Sequence, residues 1–293
     1  MTTFGSIEAG GTKFVCAVGD ESLTETDQTV IPTTPPQETL QRCVDYFQAH
    51  PVAALGIASF GPLGLDPSAP DYGYITTTPK PGWQNTDFLG FMKRSLAVPI
   101  AWTTDVNGSA FGEYVAAKRQ GHSVGTLVYY TIGTGVGAGI VDDGKFLGRL
   151  GNPEMGHVYV RRHPDDLDFA GICPRHGDCL EGLVSGPTFE ARLSRKGETV
   201  PLSDPTWDIM AYYVAQAALQ TTMTLRPNKI VFGGSVASEG FLEKVRPAFA
   251  KLLNGYITVP PLEDYLVTPL VPHNGSATLG DFALGQAALK QAE

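Results

Sequence analysis

The sequence predicts an α/β protein built from two lobes of similar topology. Residues 4–18 show two alternating apolar patterns separated by Gly10 and Gly11, which is typical of a β-hairpin and not of a strand followed by a helix. The same order of strand, glycine turn and strand recurs at 127–141. This repetition, with helical patterns between and after the two hairpins, indicates two lobes of like topology.

The other elements follow from local signals along the chain. A helix is expected where Pro35 and Pro36 precede a run of helix-forming residues, and a tight turn is expected at Asp143 and Gly144. Residues 61–87 are rich in Pro, Gly and Thr without helical or strand periodicity, so they predict a long surface loop, and such loops are commonly functional. The predicted strands are 4–7, 13–18, 53–58, 100–104, 127–132, 140–141 and 229–232. The predicted helices are 36–50, 108–120, 205–226 and 276–291.

The repetition divides the chain into two expected domains. Residues 1–115 form the predicted N-terminal lobe, and the last helix, about 276–293, is expected to pack back on it. Residues 116–275 form the predicted C-terminal lobe, which carries an insert at 157–181. Each lobe is long enough to bury a core of its own.

Composition excludes several classes of protein. Hydrophobic residues make up 42% of the 293 residues and charged residues 17%, which is typical of a globular chain. No apolar run approaches the ~18 residues of a membrane span, and the first residues do not resemble a signal peptide. We therefore expect a cytoplasmic protein without a membrane partner. The formal net charge of -9 opposes contact with phosphate backbones, so nucleic acid is not an expected partner.

Glycine is over-represented in the chain. There are 34 glycines where average usage predicts about 20. Many lie in the two hairpin turns and in the Gly233–Gly234 pair after the strand at 229–232. Glycine allows backbone N–H groups to approach a polyphosphate closely, so these turns predict a nucleotide site, although each alone could be only a tight turn. Residues 133–138 also fit a loose dinucleotide fingerprint, but a strand is expected after them where that motif needs a helix.

Six segments carry more specific motifs. They are Glu8-Ala-Gly-Gly-Thr-Lys13, Thr104-Asp-Val-Asn-Gly108, Ile132-Gly-Thr-Gly-Val-Gly-Ala-Gly139, Glu154-Met-Gly-His157, Cys173-Pro-Arg-His-Gly-Asp-Cys-Leu-Glu181 and Val231-Phe-Gly-Gly-Ser235. In order and spacing they resemble the ROK family of sugar kinases and repressors over essentially the whole chain. Residues 74–83 and the Cys-x2-His-x2-Cys insert are most similar to the bacterial ROK fructokinases. The resemblance implies a two-lobed actin/hexokinase-type (ribonuclease H-like) fold with a small zinc-bearing insert, and ATP and a sugar as ligands.

The resemblance also implies which residues transfer the phosphoryl group. Asp105 is the implied general base, which would take the proton of the attacking sugar hydroxyl; a turn or helix cap is the alternative. Related kinases often carry Asp where this chain has Glu8, whose carboxylate is expected to serve magnesium directly or through water. Thr104 stands where an amide is common, so the hydroxyl pattern recognised there differs. The implied nucleotide and phosphate contacts are Gly10, Gly11, Thr12, Lys13, Gly133, Thr134, Gly135, Gly233 and Gly234.

The implied sugar-binding residues are carboxylates and an imidazole. Glu154, His157 and Glu181 match the sugar-binding positions of the family, and such groups can each take a pair of neighbouring hydroxyls. Asn107 is a further candidate, with a helix cap as its alternative. Trp83 could cover an apolar sugar face or merely pack the loop.

His157, Cys173, His176 and Cys179 have the composition of a closed zinc site. The short Cys-x2-His-x2-Cys spacing lets one knuckle present three side chains, and no coordination position would remain open, so the zinc is expected to be structural. The alternatives are a pair of free thiols and His163 as the fourth ligand. Removal of the metal is expected to weaken activity and stability together.

The expected function is ATP-dependent phosphorylation of a free hexose, with D-fructose converted to fructose 6-phosphate. A glucose or mannose kinase of broad specificity is the alternative enzyme, since ketoses and aldoses present similar hydroxyl arrays. A sugar sensor of the same family that does not bind DNA is a further alternative. A DNA-binding repressor is not expected, because the first nucleotide strand begins by Phe4 and leaves no room for a reader domain. A homodimer is the expected assembly.

Overall fold

The computed structural model describes residues 2–148, 151–273 and 275–292. The strands are β1 (Phe4–Ala9), β2 (Lys13–Gly19), β3 (Glu25–Pro32), β4 (Ala54–Ser59), β5 (Tyr74–Ile75), β6 (Thr86–Asp87), β7 (Ile100–Thr104), β8 (Thr126–Ile132), β9 (Val136–Asp142), β10 (Lys145–Phe146), β11 (Lys229–Gly233) and β12 (Leu266–Val267). The α-helices are α1 (Pro36–Ala49), α2 (Phe88–Ser95), α3 (Asp105–Arg119), α4 (Leu180–Val184), α5 (Pro187–Leu193), α6 (Pro205–Leu225), α7 (Glu239–Leu253), α8 (Leu262–Tyr265) and α9 (Ser276–Ala292). Single 3-10 turns lie at Met155–His157, Pro164–Asp166 and Gly197–Thr199.

Two five-stranded sheets have the same topology. Their strand orders are β3-β2-β1-β4-β7 and β10-β9-β8-β11-β12. The hairpins β1–β2 and β8–β9 are antiparallel, and β4 and β11 each pair in parallel with the first strand of their hairpin. Numbered within its own sheet, each order is 3-2-1-4-5. This arrangement confirms the predicted α/β fold of the actin/hexokinase (ribonuclease H-like) type.

The chain divides into two compact units. Unit 1 comprises Met1–His122, Phe146–Asn152 and Val271–Glu293, and unit 2 comprises Ser123–Lys145 and Pro153–Leu270. The predicted limit at residue 115 differs from this division, because α3 continues to Arg119 and a boundary at 115 would cut the helix.

In unit 1, the buried face of α1 explains why the sequence forms a helix there. Pro36 occupies the first turn, where its missing N–H has no helical partner to lose. Leu40, Val44 and Phe47 recur at helical spacing and are buried against the sheet. Phe14 of β2 completes this core, with its ring stacked on that of Phe88 at 5.7 Å.

Helix α9 packs against α3, β4 and β1 of unit 1. A Cβ at Gly112 of α3 would collide with the Ser276 carbonyl oxygen, and a Cβ at Gly280 of α9 would collide with the Gly108 carbonyl oxygen. Part of the glycine excess therefore serves close packing of two helices and not a nucleotide.

In unit 2, the longest helix, α6, lies against the sheet. Asp204 caps it by accepting a hydrogen bond from the Thr206 N–H at 3.0 Å, and Pro205 follows at the first helical position. Its buried face packs with α4 and α7 around the stacked rings of Tyr130 and Phe232, whose centroids lie 5.4 Å apart.

Several elements of the structure differ from the predicted ones, and three of these differences have a clear physical reason. Strand β3 was missed because most of its residues are exposed at a sheet edge, so it lacks an apolar alternation. Helix α7 was missed; it contains Pro247, a residue that weakens a helical pattern. Strand β9 begins at Val136, so the second glycine turn is shorter than the predicted 133–139. Among the described residues, no helix is long and apolar enough to cross a membrane.

Candidate active site

The two predicted catalytic carboxylates lie at one edge of the first sheet. Glu8 is the penultimate residue of β1, and Asp105 follows β7 as the first residue of α3. Strands β1 and β7 both pair in parallel with β4, so their carboxyl ends meet at the same edge. The topology therefore brings together two acids that are far apart in the sequence.

Thr104 caps helix α3. Its Oγ1 accepts a hydrogen bond from the Asn107 N–H at 3.3 Å, while Asp105 Oδ1 accepts one from the Val106 N–H at 2.9 Å. Thr104, and not Asp105, is therefore the N-cap residue of α3. Asn107 is buried, and within the described residues its Oδ1 has no hydrogen-bond partner. A buried amide oxygen left in that state indicates a position for a water or a ligand hydroxyl.

The environment of Glu8 changes its acidity. Burial and the negative charge of Asp105 raise the pKa of Glu8 to about 7, and the charge of Lys13 acts in the opposite direction. The ionised form of Glu8 is therefore costly beside Asp105 unless a cation is bound. This arrangement fits a hard divalent cation, which prefers carboxylate oxygens.

A third acid, Asp281 of α9, lies behind Glu8 and was not predicted. It is fully buried, and its Oδ2 accepts a hydrogen bond from Ser6 Oγ at 3.1 Å. Burial, together with the negative charge of Glu8, raises the pKa of Asp281 well above its ordinary value. The sequence signal was an acid between Gly280 and Phe282 in an otherwise apolar stretch of helix.

The first glycine turn links β1 to β2. The Gly10 N–H donates to the Lys13 carbonyl oxygen at 2.9 Å, and Thr33 Oγ1 donates to the Gly10 carbonyl oxygen at 2.8 Å. Gly11, Thr12 and Lys13 are exposed. Three of the four predicted phosphate contacts of this turn are therefore accessible, whereas Gly10 is half-buried and its N–H closes the turn.

The second and third glycine segments lie side by side in unit 2. The second turn closes with a hydrogen bond from the Gly133 N–H to the Gly135 carbonyl oxygen at 2.9 Å. A Cβ at Gly133 would lie 3.7 Å from the Oγ atom of Ser235. Ser235 is the residue that follows Gly234, the last glycine of the third segment. Thr134 at the tip of the turn is exposed. The structure thus brings together these two predicted nucleotide segments.

A cavity of about 520 Å³ opens beside Ser235. Aromatic and aliphatic side chains line it together with a few polar groups, and its lining includes Gly186, Phe189, Trp207, Val236 and Ser238. An apolar, partly polar cavity of this size suits a nucleoside.

Glu181 and Glu154 occupy different surroundings in unit 2. Glu181 is half-buried, and its Oε2 accepts a hydrogen bond from the Val136 N–H at 3.0 Å, directly after the second glycine turn. Glu154 is exposed, and its carbonyl oxygen accepts from the His157 N–H at 3.0 Å in the 3-10 turn. Glu181 therefore contacts a predicted nucleotide segment as well as being a predicted sugar ligand.

The four predicted metal ligands converge in unit 2. His157 Nδ1 lies 3.6 Å from Cys179 Sγ and 3.8 Å from Cys173 Sγ, and His176 Nδ1 lies 3.9 Å from Cys173 Sγ. All four ligand atoms lie within 4.8 Å of one another. Tetrahedral zinc, with bonds of about 2.0–2.3 Å, places neighbouring ligand atoms about 3.3–3.8 Å apart. The donor set and its spacing therefore fit a zinc ion.

Local structure explains this convergence. Cys173 and Gly177 exchange two backbone hydrogen bonds, of 3.1 and 2.9 Å, which close the knuckle that carries His176. Burial, with the neighbouring Cys173 thiol and the Glu181 charge, raises the pKa of Cys179 to about 11. The rival ligand His163 is not part of the cluster, because its Nδ1 accepts from the Asp165 N–H at 3.2 Å.

Trp83 requires a correction as a sugar-binding candidate. Its side chain is 0% exposed, and its Nε1–H donates to the Thr34 carbonyl oxygen at 3.0 Å. Its ring lies 5.3 Å from that of Phe14 and 5.6 Å from that of Phe60. Because no face of the ring is open, Trp83 packs the loop at 61–87 against the core of unit 1.

Comparisons with known proteins identify the family of this chain. A family model described as the ROK family matches residues 4–288. A fructokinase from Streptococcus mutans serotype c is 51% identical over 288 residues, covering 97% of each chain, and one from Lactococcus lactis subsp. cremoris is 48% identical over 283 residues, covering 96% of each. A ROK hexokinase from Thermus thermophilus has a TM-score of 0.79 at 21% identity, covering 99% of this chain and 100% of that chain. At such low identity the structural likeness supports the fold alone.

Proposed function

This chain belongs to the ROK family, and from that premise we propose that it transfers the γ-phosphoryl group of ATP to the 6-hydroxyl of D-fructose. The observation that carries the proposal is the similarity to fructokinases, of which three are 47–51% identical over 96–98% of this chain. In unit 1 the acids Glu8 and Asp105 fit magnesium binding and proton transfer, and in unit 2 the glycine turns and the cavity beside Ser235 fit a nucleotide.

Asp105 is the proposed general base. Its carboxylate takes the proton of the sugar hydroxyl as the sugar oxygen bonds to the γ-phosphorus; the bond from that phosphorus to the bridging oxygen breaks, and ADP leaves. The cap formed by Thr104 fixes the start of α3 and so holds Asp105 in place. The unpartnered Oδ1 of Asn107 supports a role in accepting a hydrogen bond from the sugar.

Lys13, and Glu8 through a bound magnesium ion, are proposed to neutralise the negative charge of the phosphates. A magnesium ion bound at Glu8 would neutralise the β- and γ-phosphates. The raised pKa of Glu8 supports this role, since the carboxylate beside Asp105 gains most from a cation partner. The exposed backbone of Gly11 and Thr12 offers further N–H groups to phosphate oxygens, while the Gly10 N–H closes the turn on the Lys13 carbonyl oxygen.

The nucleoside is proposed to bind in unit 2. Thr134 and Gly135 present their backbone N–H groups to the phosphates, and Gly133 holds the turn closed by donating to the Gly135 carbonyl oxygen. Gly233 and Gly234 lead to the cavity beside Ser235, where the adenine would lie.

The sugar contacts are proposed to come from Glu154, Glu181 and His157. His157 directs Nδ1 at both thiols of the cluster, so Nε2 is the ring nitrogen left for a sugar hydroxyl. His157 would then serve the zinc and the sugar with different nitrogens. A structural zinc at His157, Cys173, His176 and Cys179 would hold this imidazole in one orientation.

A hexose panel tests the function. We expect ADP release with magnesium, ATP and fructose to exceed that with glucose, mannose or an N-acetylhexosamine, when each is followed by a coupled assay. Asp105→Asn should abolish turnover and leave binding of a non-hydrolysable ATP analogue unchanged, while Asp264→Asn, at an exposed acid of α8, should behave as wild type. Equal turnover of glucose and mannose would favour the broad-specificity kinase. Sugar binding without ADP release from any hexose would favour a sensor.

The assembly is tested separately. A homodimer stays a prediction from the commonest symmetry of soluble proteins. Sedimentation equilibrium should give about twice the 31.2 kDa of one chain, and a mass of one chain would contradict it.

A further inference from the structure

Glu181 lies unusually close to the glycine turn of unit 2. Besides accepting from the Val136 N–H at 3.0 Å, its Oε2 lies 2.8 Å from the place where a Cβ on Gly135 would stand. Any larger residue at 135 would push the carboxylate away or displace the turn. Gly135 therefore permits a carboxylate to touch the backbone that is proposed to hold phosphates.

The same turn is packed from its other side by the 3-10 turn that links Glu154 to His157. A Cβ on Gly156 would collide with the Val136 carbonyl oxygen. Both segments that carry proposed sugar ligands thus contact the single residue Val136, one through its N–H and the other at its carbonyl.

Helix α4 contacts the turn at both of its ends. Glu181, the second residue of α4, reaches Val136, while the Gly186 N–H just beyond the helix donates to the Gly133 carbonyl oxygen at 2.7 Å. The start of α4 directly follows Cys179 of the Cys/His cluster. Contacts before and after Glu181 therefore fix its position. A change in the Glu181 side chain should in turn change the conformation of the glycine turn.

We propose that Glu181 is a positioning residue that couples sugar binding to nucleotide binding, with one carboxylate oxygen holding the Val136 amide and the other accepting from a sugar hydroxyl. This inference rests on the proposed function for the identity of the two ligands. A carboxylate has enough acceptor sites for both partners. A sugar that immobilises Glu181 also immobilises the turn, so the nucleotide loses less conformational freedom when it binds second. By linkage, the nucleotide strengthens sugar binding by the same factor.

Three variants separate the two halves of the proposal. Glu181→Ala removes both contacts, so we expect Mg-AMPPNP to bind about tenfold more weakly without sugar, the worth of one charge-assisted hydrogen bond. Glu181→Gln keeps an oxygen for the Val136 amide but presents an NH2 group in place of the second oxygen. Its sugar-free affinity should stay within about twofold of wild type, while the gain in nucleotide affinity on adding fructose falls to about onefold. Gly135→Ala should reproduce the loss seen with Glu181→Ala.

The experiment is calorimetric titration of Mg-AMPPNP into the full chain, with and without saturating fructose. Glu243→Gln, an exposed acid on α7, is the matched control and should retain both the affinity and the fructose effect of wild type. Rescue of the sugar-free affinity by glutamine but not by alanine would distinguish a hydrogen bond from a general structural role.

Two results would overturn the inference. One is a wild-type nucleotide affinity that fructose does not change, and the other is a fructose effect in Glu181→Gln as large as that in wild type. Either result leaves the proposed function intact if wild type still phosphorylates fructose. If wild type instead binds AMPPNP but phosphorylates no hexose, the proposed function fails on its own.

Discussion

Replacing Glu8 by glutamine should change how the stability of the protein depends on pH. The pKa of Glu8 is raised from 4.5 to about 7, so the folded chain holds this proton more tightly than the unfolded chain does. Stability from this group is therefore fully present below pH 4.5 and is lost as the pH rises through 7. The difference between a pKa of 4.5 and a pKa of about 7 corresponds to at most about 3.5 kcal/mol, since each pKa unit is worth about 1.4 kcal/mol.

Glutamine does not titrate, so Glu8→Gln should lack this loss. Relative to the variant, wild type should lose about 3 kcal/mol of unfolding free energy between about pH 4.5 and about pH 8. Urea unfolding at a series of pH values, without magnesium and nucleotide, measures the difference. Glu243→Gln is again the control and should run parallel to wild type.

Parallel curves for wild type and Glu8→Gln would refute the reasoning. They would mean that Glu8 is not a buried carboxyl facing the charge of Asp105. The proposed magnesium role of Glu8 would then lose its physical support. A magnesium-dependent recovery of stability near pH 8 in wild type, absent in Glu8→Gln, would be the corresponding positive result.

Three further predictions concern other parts of the molecule. Trp83→Phe should lower the free energy of unfolding by about 1–3 kcal/mol, because it loses the hydrogen bond to Thr34 and leaves a cavity, and the KM for fructose should not change. A raised KM at unchanged stability would instead support a direct contact between Trp83 and the sugar. Asp166→Ala should destabilise by about 3–5 kcal/mol, because it leaves the buried Arg192 guanidinium, now 2.8 Å from the carboxylate, without its charge partner; a loss below about 1 kcal/mol in urea unfolding would contradict this. Purified protein should contain one zinc per chain by mass spectrometry, and Cys173→Ser should lose the metal and melt at a lower temperature; full metal retention in the variant would exclude Cys173 as a ligand.

Much of the fold could be predicted from local patterns. The helices at 36–50 and 205–226 were predicted within a residue of α1 and α6, because proline starts and apolar spacing are local signals. Both hairpins were predicted because glycine turns between alternating runs leave few other structures. The exposed edge strand β3 and the proline-containing helix α7 lacked such signals.

The candidate site was predictable only in part. The Cys-x2-His-x2-Cys knuckle is recognisable because its three ligands are close in sequence. The sequence alone leaves His163 as an alternative to His157 for the fourth ligand, and the structure places His157 against both thiols. The sequence alone does not decide whether Trp83 contacts a sugar or packs the loop, because an aromatic residue in a loop can do either, and its complete burial shows that it packs.

The sequence by itself determined the repeated hairpins, the glycine turns and the set of polar residue types that phosphoryl transfer requires, because each of these is a pattern among near neighbours. The tertiary structure decided which of those residues meet. It placed Asp281 behind Glu8, joined Glu181 to the Val136 amide, and used other glycines to pack α3 on α9. Contacts between residues far apart in sequence depend on how sheets and helices pack and on which groups that packing removes from water, and neither property is local to any segment of the chain.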